Sequence, residues 1–367
     1  MTVPSASAVD SVQQLFERAC EMGASDLHIE PDATTVTVRA RRDGVLVPMD
    51  SLPADLGPRL VGRLKALADL LAYRTDVPQE GRITAERSGV GVEIRVATYP
   101  TLFGERAALR FDAPETVAMT LDSLGLPAAA LAGLRAAIER PDGVVLLTGP
   151  SGSGKTTTLY SCLRHVAARV PRRSIVTVED PVERCVPGVT QTQVAPAAGL
   201  DFARALRSLL RQDPEVILVG EIRDRETAGI ALEAGLTGHL VASTIHAGTA
   251  PQVFARLLDM GVEPFVATTS VRGVLAQRLL RRRCPACTGS PVCTTCDGTG
   301  HRGRALVAEW LEVTPRVRAA ILARADGDTI SAAAKESGFR TLRDEAAALV
   351  DGGVTTKEEV DRVLGPA

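Results

Sequence analysis

Aromatic residues are scarce, with one Trp, three Tyr and seven Phe making up 3% of 367 residues. Single strands of nucleic acid are held by stacking bases on aromatic faces, and this chain offers few such platforms. Neither sign of charge is in surplus, since 42 Lys and Arg against 44 Asp and Glu leave a net charge of −2. The positive field that draws a protein to nucleic acid is absent, and no nucleic-acid partner is expected. Long apolar runs are missing too. Val144–Leu147 and Val216–Val219 fall far short of the ~20 residues that cross a bilayer. Met1–Asp10 is small and polar, not a basic-then-apolar leader, so no secretory signal is read. The seven cysteines are odd in number and four crowd into Cys284–Cys296. That pattern excludes a secreted disulfide scaffold and fits a reduced, cytoplasmic protein with a local metal cluster.

Hydrophobic residues make up 45% and charged residues 23%, enough for a full core, and the length predicts two or three domains. Ser11 with Gln14 resembles a capping box. Val12, Leu15, Phe16, Ala19 and Cys20 follow at helical spacing, with Gly23 as the stop. The period then falls to two over Thr35–Arg41, with Val45–Pro48 as a hairpin partner. A second helix is predicted over about Pro58–Leu71 and strands over Arg82–Ala85, Gly91–Ala97 and Arg106–Phe111. Residues 1–112 therefore read as an α+β domain, and 113–127, with Pro114 and Pro127, as a linker. Beyond it, apolar strands Val144–Leu147, Ile175–Val178, Val216–Val219 and Leu240–Ser243 alternate with helices at Lys155–Ala168, Phe202–Arg211 and Arg225–Ala234. Such alternation predicts an α/β domain over 128–283, its parallel sheet covered on both faces. A cysteine-bearing insert over 284–303 and a helical C-terminal region over 304–367 complete the division.

Gly149-Pro150-Ser151-Gly152-Ser153-Gly154-Lys155-Thr156 fits G-x-x-x-x-G-K-[ST] at every position, between an apolar strand and a helix. Glycines let backbone N–H groups curl around a β-phosphate at the helix N-terminus, where the helix dipole adds positive potential. Lys155 supplies charge for the β- and γ-phosphates, and Thr156, with Thr157 beside it, offers hydroxyls, that of Thr156 for Mg²⁺. The expected ligand is MgATP.

Hydrolysis needs carboxylates at the C-terminal ends of neighbouring parallel strands. Ile175–Val178 runs into Glu179-Asp180-Pro181-Val182-Glu183, and Val216–Val219 into Gly220-Glu221-Ile222-Arg223-Asp224. Acids at strand–helix junctions are often only helix caps, a reading that stays open for Asp224 and Glu183. His239 and His246 bracket the strand that follows. A histidine at a strand tip beside the loop can contact a γ-phosphate; either residue is equally explained as a satisfied core histidine. Cys284-x-x-Cys287 and Cys293-x-x-Cys296 supply four thiolates from two knuckles, the ligand set of a structural Zn²⁺.

Gly149–Thr156, Val178–Glu183, Leu210–Asp224 and Thr237–His246 resemble, in order, the Walker A, aspartate-box, Walker B and histidine-box motifs of the type II secretion and type IV pilus-assembly ATPases. Ala24–Pro31, Gly81-Arg82, Arg95–Thr98 and Gly104–Arg106 resemble segments of that family's N-terminal domain. The resemblance implies a RecA-like P-loop domain preceded by a PAS-like one. It implies a homo-hexameric motor at the inner face of the cytoplasmic membrane, peripherally associated and acting on an inner-membrane platform protein. It makes Glu221 the Walker B glutamate, Glu179 the acid that polarises water, His239 and His246 the box histidines, and Arg82 and Arg95 arginines beside the nucleotide. Arg106 and Arg110 read as structural or interface residues. The choice of general base between Glu179 and Glu221 stays open.

Two departures qualify the match. No Asp precedes Glu221, so the usual magnesium-holding aspartate is not carried over. Only about 23 residues precede Ala24, so a further N-terminal docking domain is expected to be missing. The alternatives are a DNA-uptake or conjugation ATPase and a pilus retraction motor. Retraction motors generally lack the cysteine cluster, which favours assembly or secretion.

Overall fold

A computed structural model describes residues 8–112, 119–287, 289–290 and 292–366. The chain divides into two compact units, Met1–Val117 and Ala118–Ala367.

In the first unit, helix α1 (Ala8–Glu21) precedes strands β1 (Asp26–Pro31), β2 (Thr35–Arg42) and β3 (Val45–Pro53). Helix α2 (Gly57–Leu67), strand β4 (Gln79–Ile83), a one-turn α3 (Ala85–Ser88), β5 (Ile94–Thr101) and β6 (Gly104–Phe111) follow. The strands form one antiparallel sheet in the order β3-β2-β1-β6-β5-β4. Alternation along β2 buries Val36, Val38 and Ala40 against Phe16 and Leu64 of the helices and leaves the opposite face polar. Ser11 lies inside α1 and is not its cap, because the helix already runs from Ala8. The sequence reading missed β1, whose Asp-Leu-His-Ile-Glu alternation carries only two apolar residues.

In the second unit, α4 (Ala128–Ile138) leads into β7 (Gly143–Thr148), α5 (Lys155–Ala167), β8 (Ile175–Glu179), β9 (Thr190–Gln193) and α6 (Phe202–Leu209). Next come β10 (Val216–Ile222), α7 (Arg225–Leu236), β11 (Leu240–Ile245), α8 (Ala250–Asp259), α9 (Pro264–Ser270), β12 (Val271–Arg283) and β13 (His301–Glu312). Four helices follow, α10 (Pro315–Leu322), α11 (Gly327–Lys335), α12 (Leu342–Asp351) and α13 (Lys357–Leu364). The sheet order is β13-β12-β7-β11-β10-β8-β9, parallel throughout except for the β12–β13 pair. Every residue of β7, β8 and β11 is buried. Val145 and Leu147 pack with α4 and α5 on one face, and Val144 and Leu146 with α7 and α8 on the other.

Two expected boundaries are corrected. Residues 113–118 lie outside the described residues, but 119–127 is not linker. Leu121, Leu124 and Leu126 are buried against α4 and α5, because three leucines beside an apolar helix gain more by covering it than by staying in water. Nor is 304–367 helical throughout. Its first nine residues belong to β13, which pairs antiparallel with β12 from Gly273↔Glu312 to Arg283↔His301. The cysteine segment is thus the tip of a long hairpin, and helix resumes only at Pro315.

The helical tail is fastened to this hairpin by a buried charge. Glu359 of α13 is 1% exposed and accepts from Arg281 Nη2 at 2.7 Å and from Arg362 Nη2 at 2.6 Å. Burial alone would raise its pKa, but the two guanidiniums prevail and hold it down to about 2. A carboxylate so depressed stabilises the fold above its unfolded pKa of about 4.5, and that contribution is lost as pH falls toward 2. Glu359→Ala should therefore cost roughly 3 kcal/mol at neutral pH, the lower end for breaking a buried pair because Arg362 is partly exposed. Urea titrations of both proteins from pH 7 to 2.5 should show the gap narrowing below pH 4.5; a constant gap would contradict the assignment.

Candidate active site

The phosphate-loop residues leave β7 at Gly149 and enter α5 at Lys155. Gly149 and Gly154 have φ of +146° and +92°, conformations that side chains resist. A Cβ on Gly149 would also stand 2.6 Å from the Gln277 carbonyl, so this strand exit admits only glycine. Ser151, Gly152, Thr156 and Thr157 face solvent, whereas Ser153 is buried and its hydroxyl has no hydrogen-bond partner among the described residues. Pro150 lends its carbonyl, with that of Gly149, to Lys155 Nζ at 3.0 and 2.7 Å. Burial first, then the Arg278 charge, lower the Lys155 pKa, while Glu221 raises it. The loop is a half-desolvated cation among carbonyls.

The parallel register brings Glu221 and His246 to this edge. Glu221, at the end of β10, pairs with Arg223 and lies 3.4 Å from His246 Nε2 just past β11. Its side chain is one-sixth exposed, reaching solvent between the Arg223 guanidinium and the His246 ring. Glu179 ends the neighbouring β8 in a different state. It is 4% exposed and accepts from Thr177 Oγ1 at 2.5 Å, from Gln191 Nε2 at 3.1 Å and from the Tyr160 hydroxyl. Burial, reinforced by Glu179, pushes the Tyr160 phenol well above its ordinary pKa, so it stays a donor. Three donors fix the Glu179 carboxyl group in place. Asp224 proves to be the α7 cap, accepting from Thr227 N at 2.8 Å.

His239 goes elsewhere. Within this chain β11 runs parallel to β7, with Leu240 opposite Gly143 and Ile245 opposite Thr148. His239 therefore sits at the start of the strand, and six residues at ~3.3 Å each separate it from the loop edge by roughly 20 Å. Its Nδ1 contacts the Ala234 carbonyl at 3.1 Å. Only His246 of the expected pair joins the loop.

Arg82 and Arg95 belong to the first unit. They face each other across β4 and β5, and the same register continues through Arg110, Asp26 and Arg41 on β6, β1 and β2. Directly opposed residues share a face, so four guanidiniums and one carboxylate form a row across the polar side of the sheet. Ion pairs along the row include Arg82–Glu93 at 3.5 Å, Arg95–Asp112 at 3.6 Å and Arg110–Asp26 at 3.7 Å. A depression of about 480 Å³ lies over Arg82, Arg95 and Arg110. Arg106 turns instead to Glu30 and His28. The sequence reading found the first two arginines and missed the row, which exists only once the strands are in register.

At the hairpin tip, the sulfurs of Cys284, Cys287, Cys293 and Cys296 lie within 4.8 Å of one another. Cys284–Cys293 and Cys287–Cys296 are separated by 3.9 and 3.6 Å. Tetrahedral Zn–S bonds of ~2.3 Å require sulfurs ~3.8 Å apart, so the donor set fits and could hold zinc. The backbone N–H of Cys296 heads the influences that hold the Cys293 thiol down to about 6. At Cys287 the Gly289 backbone N–H is outweighed by burial and the neighbouring sulfurs, which push that thiol up to about 11, so the thiols lose their protons unequally.

Residues 3–362 match the family described as Type II/IV secretion system protein. The chain is 42% identical over its whole length to a type II secretion system protein, HxcR, of Pseudomonas aeruginosa, spanning 79% of that relative. It is 40% identical over 95% of its length to a type IV pilus assembly ATPase, PilB, of Thermus thermophilus, spanning 42% of that relative. Among solved structures it is similar to the pilus retraction motor PilT with bound ADP, at 27% identity, with a TM-score of 0.65 and 96% of both chains covered. The fold is also that of the Legionella pneumophila ATPase DotB, at 24% identity, a TM-score of 0.72, and coverage of all of this chain and 98% of that one.

Proposed function

This chain belongs to the type II/IV secretion system protein family, and we propose that it hydrolyses MgATP to drive type II secretion or type IV pilus assembly. The observation that carries the reading is the convergence of Lys155, Glu221 and His246 on one sheet edge beside the phosphate loop. ATP binds with its phosphates against the loop amides and Lys155. Thr156, exposed in the first turn of α5, offers its hydroxyl to Mg²⁺, which when bound screens the phosphate charge. Glu221 orients the attacking water, since its carboxylate reaches solvent. Glu179, held by three donors, keeps Tyr160 and β9 in place beside the site. His246 senses the terminal phosphate through its contact with Glu221.

The first unit, which we read as PAS-like from its single antiparallel sheet with helices on one face, delivers Arg82 and Arg95 to the phosphates. Both guanidiniums reach solvent, Arg82 the more so, where an incoming phosphate can meet them. The motor is a homo-hexamer that works against an inner-membrane platform protein from the cytoplasmic side, peripherally bound. Secretion or assembly is favoured over retraction by the Cys284–Cys296 cluster and by the 40% and 42% identities, against 27% to the retraction motor.

Lys155→Ala should abolish nucleotide binding, whereas Glu221→Gln should bind MgATP normally and lose at least ~100-fold in turnover, because only the second leaves the phosphate cradle intact. Arg82→Ala and Arg95→Ala should each bind and turn over ~10³-fold more slowly if a guanidinium meets the transferred phosphoryl group. Phosphate release and nucleotide titration on purified hexamers check all four. Wild-type turnover by Glu221→Gln would sink the proposal, and near-wild-type rates for both arginine variants would reduce the first unit to a mechanical adaptor.

We further assign one structural Zn²⁺ per chain to the four cysteines, whose thiolates leave no open position for substrate. Cys284→Ser should lose the metal and melt several degrees lower. Elemental analysis of protein prepared without chelator gives one zinc per chain on this account; no zinc, or full zinc in the variant, contradicts it.

A further inference from the structure

Strand β12 carries to the phosphate loop a cation that the loop motif does not include. It runs parallel to β7 with Ala276 opposite Thr148, so Gln277 and Arg278 lie alongside the start of the loop. Gln277 is fully buried and donates from Nε2 to the Ser153 carbonyl at 2.8 Å. Arg278 is half-buried beside it. Its Nη1 donates to the Gln277 carbonyl at 2.9 Å and its Nη2 to the Gly248 carbonyl at 2.5 Å, in the turn that follows His246. An added Cβ at Gly149 would stand 3.1 Å from Nη1, so the guanidinium abuts the loop itself.

No carboxylate among the described residues lies within ion-pair distance of Arg278. Glu309, its nearest source of negative potential, is already occupied. That buried carboxylate accepts from the backbone N–H groups of Ala250 and Leu342 at 2.6 and 2.8 Å, at the first residues of α8 and α12. Burial lowers the proton affinity of Arg278, and its charge in turn lowers that of Lys155. Two half-buried cations therefore share one rim, each hydrogen-bonded only to carbonyl oxygens. Glu221 near Lys155 and Glu309 near Arg278 act on them from beyond ion-pair distance. Such crowding is costly unless an anion enters, and a chain of phosphates would relieve it.

We propose that Arg278 contacts the phosphate chain of the bound nucleotide, a cation supplied in cis from β12 opposite the loop lysine. The inference rests on the reading of Gly149–Thr156 as a nucleotide site. On binding, the guanidinium exchanges the Gln277 or Gly248 carbonyl for a phosphate oxygen. Because Arg278 also reaches the turn after His246, its movement links phosphate occupancy to the position of that histidine.

The test is calorimetric titration of the full-length chain and its R278A, R278Q and R278K variants with MgATP and with MgADP, alongside melting temperatures. Gln keeps an amide donor for the Gly248 carbonyl but no charge, so R278Q separates a phosphate contact from a turn anchor. The expected result is a 10- to 100-fold loss of nucleotide affinity in R278A and R278Q, part of it restored in R278K, with R278Q melting within about 3 °C of wild type. Nucleotide binding by R278Q within twofold of wild type would overturn the inference. So would a loss of affinity in all three variants that tracks a fall in melting temperature. Wild-type protein that binds neither nucleotide would remove the site reading itself, a distinguishable result.

Discussion

The register of six parallel strands governs the second unit. Parallel pairing requires a crossover between consecutive strands, so every strand ends at the same edge and every returning helix begins there. In the second unit that edge collects the loop after β7, Glu179 at the end of β8, Glu221 on β10, His246 after β11 and Arg278 on β12. The residues come from distant parts of the sequence, and nothing but the sheet makes them neighbours. The start of α5 adds its unpaired N–H groups to the same place.

Charge is distributed over that edge unevenly. Glu179 is buried and held by three donors, while Glu221 is open to solvent and flanked by Arg223, His246 and Lys155. The first is a fixed feature of the core, since moving it would strand a buried carboxylate. The second sits where charge can change partners at little cost. Two glutamates at equivalent strand ends thus have unlike capacities, set by the donors Tyr160, Thr177 and Gln191 around the first. In the first unit the antiparallel register produces a comparable grouping, a row of arginines, on a sheet whose other face is mostly apolar.

Much of this was legible in the residues. Val144–Leu147, Ile175–Val178, Val216–Val219 and Leu240–Ser243 are unbroken apolar runs, and each is the centre of a buried strand. The loop motif, Glu221 and the cysteine knuckles carry local patterns that need no tertiary knowledge. What escaped detection had competing or long-range causes. Strand β9 reads Thr-Gln-Thr-Gln because it is the exposed edge of the sheet. The arginine-rich end of β12 hides a strand whose hairpin closes beyond the cysteines. Proline in the 113–127 segment outweighed Leu121, Leu124 and Leu126, whose burial depends on a helix that follows. His239 and His246 are equivalent in sequence, one at each end of a strand, and only strand direction separates them. Arg278 meets the loop across more than a hundred residues, a contact no short motif can announce.

The central claim is that this one edge is where nucleotide acts. Hydrogen–deuterium exchange of the full-length chain, with and without a slowly hydrolysed MgATP analogue, tests it most directly. The account predicts slowed exchange over residues 149–157, 220–223 and 277–279, with residues 237–239 and 142–143 at the opposite edge unchanged. Nucleotide-dependent protection confined to that opposite edge, or none over 149–157, would contradict it.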